Sequence, residues 1–293
     1  MLEIRSLAGV GWEPLAAAFN AAFADYVVPM SLTPDALAAM QRRRGYAAEA
    51  SFGAFDPTGL RPAPRAEPAG SPPRDSLTRI DGDRLVGFVL TCLDGDRAYN
   101  SGTGVLPAHR GGGLGRRLVE AVIAAVRGRA QSYALEVIET NAPAAALYRA
   151  LGFAETRRLQ VWALAAGEPV RAADVPAISA PDLDAIAAHA DVALPWQNSL
   201  ASLRRATEPY VALGDDRGAA IVFPASADLP LLCVRRDARR RGHGARLLAA
   251  AAARAARPLR TMVDDRDAGI AAFLDAAGAT RLVRQIEMVR ELR

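Results

Sequence analysis

Two stretches of this chain align on each other without a gap. VLPAHRGGGLGRRL (residues 105–118) lies over VRRDARRRGHGARL (residues 234–247), so that Arg110 falls on Arg239, Gly113 on Gly242 and Gly115 on Gly244, at a common offset of 129. Further on, NAPAAALYRALGF lies over DAGIAAFLDAAGA, pairing Asn141 with Asp267 and Gly152 with Gly278 at an offset of 126. Solenoid repeats recur every 20–50 residues or so. A period more than twice that describes whole domains in tandem. The length of 293 residues agrees with two domains. We expect a first domain over 1–165, with a proline-rich insertion at about 57–75, and a second over 166–293.

Each half alternates strand and helix signals. The first reads as a strand at LEIRSL, helices at WEPLAAAFNAAFADY and TPDALAAMQRRRG, and strands joined by two DGD turns up to Val105. The glycine-rich loop then leads into a helix, a buried strand SYALEVIET, a helix at NAPAAALYRALG and a last strand AETRRLQVWAL. The same order returns after AAGEPV, residues 165–170. The fold class expected is α/β, an α+β mixed sheet with flanking helices in each half.

Composition removes several classes of function. The chain has no lysine, so no mechanism here uses one. A net charge of +4 is too small to argue for nucleic acid, and aromatic residues are not interleaved with the arginine clusters. Two cysteines in apolar runs, with no CxxC, make neither a disulfide framework nor a zinc site. No apolar run reaches membrane-spanning length and the first residues lack a signal-peptide pattern, so a cytoplasmic chain with no membrane partner and no metal is expected.

The glycine loop carries chemistry. A strand, a glycine turn and a helix start form the geometry that binds phosphate, because the first helical N–H groups are unpaired and the helix dipole favours negative charge. Glycines let an anion approach, and Arg110, Arg116 and Arg117 add positive field. The loop lacks the lysine of a P-loop and the third glycine of a dinucleotide fingerprint.

Taken together, the two motifs resemble the GCN5-related N-acetyltransferases (GNAT). That signature is V-x-P-x-x-[RQ]-x-x-G-x-[GA], then N-x-x-A-x-x-[LF]-Y-x-x-x-G-F. Val105, Pro107, Arg110, Gly113 and Gly115 fill the first part; Asn141, Ala144, Leu147, Tyr148, Gly152 and Phe153 fill the second. The resemblance implies two tandem domains, each a mostly antiparallel sheet that splays open, and acetyl-CoA as co-substrate. It implies that Thr103, Gly104 and Val105 offer backbone to the pantetheine arm. Arg110, Gly111, Gly112, Gly113, Leu114, Gly115 and Arg116 would hold the pyrophosphate, with Asn141 near the arm. Tyr148 would protonate the leaving thiolate. The implied reaction is direct attack of a primary amine, on a small molecule or a peptide, in a ternary complex.

Other roles are expected from residue type and place. Glu136 and Glu139 stand in an apolar strand, and either one, buried, is a candidate base. Asp25 could pair with a cationic acceptor, with Tyr26 beside it, and Asn100 is a further acceptor contact. The second half departs where chemistry matters, since Tyr148 maps to Leu274, Asn141 to Asp267 and Pro107 to Arg236. Catalysis is therefore expected in the first domain. The second would be structural or bind a CoA-like anion without turnover. The competing expectation is a CoA-binding sensor or scaffold with no activity. A monomer or a homodimer fits a chain that already carries two domains.

Overall fold

A computed structural model describes residues 1–26, 31–58, 78–80, 82–165 and 175–292. Most of the expected proline-rich insertion, and Val27–Met30 of the acceptor segment, lie outside the described residues. The chain divides into two compact units.

The first unit comprises Met1–Leu135, Pro143–Ala154 and Met288–Arg293. Its elements are β1 (Glu3–Ser6), α1 (Trp12–Ala22), α2 (Pro34–Arg44), β2 (Phe52–Asp56), β3 (Arg79–Ile80), β4 (Asp83–Asp94), β5 (Arg97–Val105), α3 (Leu114–Val126), β6 (Ser132–Ile138) up to Leu135 and α4 (Ala142–Ala150) from Pro143. The strands run in the order β1-β2-β4-β5-β6, with β3 on β4. All pairs are antiparallel except β5 with β6, which is parallel. The local signals set α2. The Thr33 hydroxyl accepts the Ala36 N–H at 3.2 Å, Pro34 opens the helix, and Gly45 ends it at φ +90°. Helix α3 buries Leu114, Leu118, Val119, Val122, Ile123 and Val126, a stripe at helical spacing. Burial of each such side chain contributes about 1.5–3 kcal/mol. Phe19, Phe55, Phe88, Leu15 and Leu85 build the core against α1.

The second unit comprises Glu136–Ala142 and Glu155–Glu287. It holds β7 (Ala154–Leu164), α5 (Leu183–Ala187), α6 (Leu200–Arg205), β8 (Val211–Asp215), β9 (Gly218–Phe223), β10 (Asp228–Val234), α7 (His243–Ala252), β11 (Leu259–Asp264), α8 (Ala268–Ala276) and β12 (Thr280–Glu291) up to Glu287. Strand order is β7-β11-β10-β9-β8, antiparallel except for parallel β10 and β11. The same plan thus appears twice: antiparallel strands, one parallel pair, and a glycine loop between its two strands. Membership is not contiguous in sequence, because Met288–Arg293 counts with the first unit and Glu155–Leu164 with the second. Periodicity identifies a terminal strand but not the sheet edge it extends.

Candidate active site

Strand β5 opens the site. It pairs with β6 from Arg97↔Ser132 to Asn100↔Leu135, and beyond Asn100 no β5–β6 pairing exists among the described residues. At the same point the register against β4 slips by one. Leu90 faces Gly102 and Thr91 faces Asn100, leaving Ser101 as a bulge. A bulge bends a strand and re-aims its side chains.

Side chains hold this bulge from both directions. Arg44, the last residue of α2, donates from Nη1 to the Ser101 hydroxyl at 3.0 Å and to its carbonyl at 3.4 Å. The Asn100 Oδ1 accepts the Gly102 N–H at 3.0 Å, and its Nδ2 donates to Thr103 Oγ1 at 2.7 Å. Asn100 is buried, so the substrate contact expected of it is replaced by a clamp within β5. Gly104 is glycine for packing: a Cβ there would lie 2.4 Å from Phe88 Cζ and 2.9 Å from Ala22 Cβ.

The loop after β5 makes one 3-10 turn at Pro107–His109 and reaches α3 through Gly113, which caps the helix at φ +74°. A Cβ on Gly111, Gly112 or Gly113 would meet nothing within 4 Å. This is open space in front of a helix start whose first N–H groups have no helical partner. Arg116 is spread along α3 in an exposed pair with Glu120 at 3.3 Å.

Arg110 is committed elsewhere. Its Nε donates to the Val105 carbonyl at 3.0 Å, and its Nη2 to the Ala22 carbonyl at 2.8 Å. Its two Nη atoms grip the Asp25 carboxylate at 2.6 and 3.0 Å. The structure therefore pairs Asp25 with Arg110 rather than leaving it open for an acceptor amine. The Arg110 hydrogen bond, against a small burial penalty, holds the Asp25 carboxyl below the usual carboxylate range. Tyr26 packs edge-on against Phe23, with ring centroids 5.1 Å apart.

Tyr148 sits in α4 with 7% of its surface exposed and packs edge-on against Phe153. Burial pushes its phenol pKa up, and the Thr103 side chain opposes that shift. Thr103 and Tyr148 both belong to the first unit. Glu136, Glu139 and Asn141 count with the second. Glu136 Oε2 accepts from the Gln197 amide at 2.9 Å, and Glu139 is ion-paired with Arg158 at 2.8 Å. The Asn141 N–H donates to the Ile138 carbonyl at 2.8 Å.

The second unit repeats the clamp. Arg239 Nε donates to the Val234 carbonyl at 2.8 Å, Nη2 to the His189 carbonyl at 3.2 Å, and Nη1 to Asp191 at 2.5 Å. Arg236 joins it on Asp191. The β10–β11 pairing is confined to Asp228↔Arg260, and beyond it lies a cavity of about 480 Å³. Leu231, Val263, Ile270 and Phe273 line it together with Arg240 and Gly242 of the loop. Among the described residues, no group of three or more His, Cys, Asp or Glu side chains could hold a metal ion. Nor is any helix long and apolar enough to cross a membrane.

Sequence reasoning missed Arg44 and the side chain of Thr103. The matching places of Arg110 and Arg239 in the internal repeat were a signal that both hold the end of the preceding strand.

Each unit thus carries one parallel strand pair of short register and a glycine loop leading into a helix. The family model for the acetyltransferase (GNAT) family matches residues 39–153. A GCN5-related N-acetyltransferase from Sphaerobacter thermophilus is 16% identical, covers 100% of this chain and 96% of its own, and superposes with a TM-score of 0.69. A Pyrococcus horikoshii protein gives 12%, 100%, 90% and 0.69 for the same quantities. A tandem GNAT protein from the clavulanic acid biosynthesis pathway gives 15%, 100%, 99% and 0.63. No curated protein sequence matches the chain. Residues 39–153 thus match the acetyltransferase (GNAT) family model, and the chain as a whole shares the fold of a tandem GNAT protein.

Proposed function

We propose that this chain is an acetyl-CoA-dependent N-acetyltransferase acting on a primary amine of a small molecule or peptide, with turnover in the first of two tandem domains, 1–165 and 166–293. One observation carries the reading: Gly111–Gly113 leave open space at the start of α3, and Gly115 of that helix lies against Leu147, next to buried Tyr148 on α4. The loop N–H groups, with Arg116 and Arg117, hold the pyrophosphate. Arg110 holds the loop to the end of β5 and to Asp25. Thr103–Val105 present backbone to the pantetheine arm, and Asn141 marks the start of α4.

Acetyl-CoA, when bound, supplies the thioester. The amine lone pair forms the N–C bond, and the C–S bond breaks with its electron pair on sulfur. Backbone N–H groups at the end of β5 stabilise oxyanion charge on the carbonyl, and the Tyr148 phenol gives its proton to sulfur. Only a neutral amine attacks, and we assign removal of its proton to water. Glu136 and Glu139 are already engaged, by Gln197 and Arg158. The cavity of the second unit, with Leu274 where Tyr148 stands in the first, supports binding of a CoA-like anion there without transfer.

Two measurements test this. Saturating acetyl-CoA is expected to raise the melting temperature, since a ligand that binds only the native state stabilises it. A panel of amines, aminoglycosides and amino-acid derivatives is expected to give thiol release from acetyl-CoA that Tyr148→Phe loses. A thermal shift without thiol release for any amine would favour the sensor reading. No shift at all refutes both.

A further inference from the structure

Ser101 stands outside the strand ladder on both sides. On β4, Leu90 faces Gly102 and Thr91 faces Asn100, and the described pairing with β6 ends at Asn100. Ser101 is nevertheless buried. A buried carbonyl with no ladder partner is costly unless another donor reaches it. Arg44 is that donor: its Nη1 reaches the Ser101 carbonyl at 3.4 Å and the hydroxyl at 3.0 Å. The chain also fixes where Arg44 starts. Gly45 ends α2 in the left-handed region, and its carbonyl accepts the Leu93 N–H at 2.9 Å. The Ala47 N–H donates to the Thr91 carbonyl at 2.9 Å, and Tyr46 bridges to Cys92. The end of α2 is thus fastened by backbone bonds to Thr91–Leu93 of β4, the residues that pair with β5 from Asn100 back to Ala98.

The second unit supplies an independent comparison. At the offset of 129, Ser101 falls on Pro230, inside the register slip of β10 between Asp228 and Leu231. The clamp at the strand end recurs, with Arg110 on the Val105 carbonyl and Arg239 on the Val234 carbonyl. Both units therefore break the register at the same place and hold the strand end in the same way. At Pro230 a ring with fixed φ stands where the first unit has a hydroxyl for an arginine to hold. What the fold needs is repeated. The serine that takes the Arg44 brace belongs to the unit that carries Tyr148, and Leu274 stands at the tyrosine position of the other.

We propose that Arg44 is a positioning residue. Through Ser101 it fixes the bulge, and through the bulge it sets the course of the β5 backbone from Thr103 to Val105, along which the pantetheine arm lies. The inference rests on the acetyltransferase reading of the same site. The glycine loop is held at its own base by Arg110, so loss of Arg44 separates the two ends of the cofactor. The test uses the full chain and reads the first site through thiol release from acetyl-CoA with the best amine of the panel. Inhibition constants against acetyl-CoA are measured for two probes. Desulfo-CoA has both pyrophosphate and pantetheine; ADP has pyrophosphate alone. Arg44→Met is expected to weaken desulfo-CoA about tenfold, the loss of one charge-assisted hydrogen bond, and ADP by less than about twofold. Arg44→Lys, which returns one donor, is expected to recover most of the loss. Ser101→Ala leaves α2 untouched and removes only the hydroxyl; it is expected to weaken desulfo-CoA about threefold, and it decides the matter if Arg44→Met does not fold. Equal weakening of both probes, or of neither, overturns the inference. A wild-type chain that releases no thiol with any amine overturns the reading beneath it, and the inference with it.

Discussion

Gly112→Ala separates what the fold needs from what a ligand needs. Gly111 and Gly113 have positive φ, so a side chain at either strains the backbone. Gly112 has neither a positive φ nor an atom within 4 Å of an added Cβ. Nothing in the folded chain requires glycine there, yet glycine is present. Replacing such a glycine by alanine stabilises by about 0.4–1 kcal/mol, because the unfolded chain loses freedom. At ~2–4 °C per kcal/mol, the melting temperature without ligand is expected to hold or rise by about 1–4 °C. The ligand response goes the other way. Acetyl-CoA at about 100 times its Kd contributes about 2.7 kcal/mol. A methyl group in the phosphate space that weakens binding tenfold removes about 1.4 kcal/mol of that. Differential scanning fluorimetry over an acetyl-CoA titration reads both quantities. A variant with the full ligand shift refutes the placement of pyrophosphate on this loop. A variant that melts lower without ligand refutes the claim that the fold is indifferent at 112.

Gly104→Ala is the opposite case; its Cβ meets Phe88 at 2.4 Å, so a loss of about 1–3 kcal/mol is expected in denaturant unfolding. Arg240 is a non-glycine at φ +62° lining the second cavity. Arg240→Gly is expected to raise the melting temperature while reducing CoA binding stoichiometry or affinity at the second unit in calorimetry; a loss of stability refutes the strain. Asp264 is fully buried between Arg157 and Arg266. Burial pushes its carboxyl up, but the hydrogen bonds from Arg266 and Arg157 outweigh that and hold it low. Its contribution is therefore present above the unfolded carboxylate range and is lost as pH falls through the lowered folded value. Asp264→Asn is expected to destabilise at pH 7 by about 3 kcal/mol or more and to flatten the acid side of the stability profile, measured by urea unfolding from pH 7 to pH 3. Asp25→Asn breaks an exposed pair and is expected to change stability by at most about 1 kcal/mol.

Much of this protein is local in origin, and the sequence by itself determined that part. The caps of α2, the DGD turns, the apolar stripe of α3 and the positive-φ glycines each depend on residues a few positions apart. The internal repeat, read at offsets of 129 and 126, determined that the plan occurs twice. It also located the glycine loop and the NAPAAALYRALGF helix that carries Tyr148, since those are contiguous motifs. The tertiary structure alone decided the partners of long polar side chains. Arg110 reaches Asp25, 85 positions away, and Arg44 reaches Ser101, 57 positions away. A guanidinium beside a glycine loop reads as an anion ligand until the fold shows which carbonyls it already holds. Likewise, the one-residue slip at Ser101 exists only in the register between two strands. That slip brings Asn100 onto Thr103, and nothing in the order of residues along β5 states which of its side chains face one another.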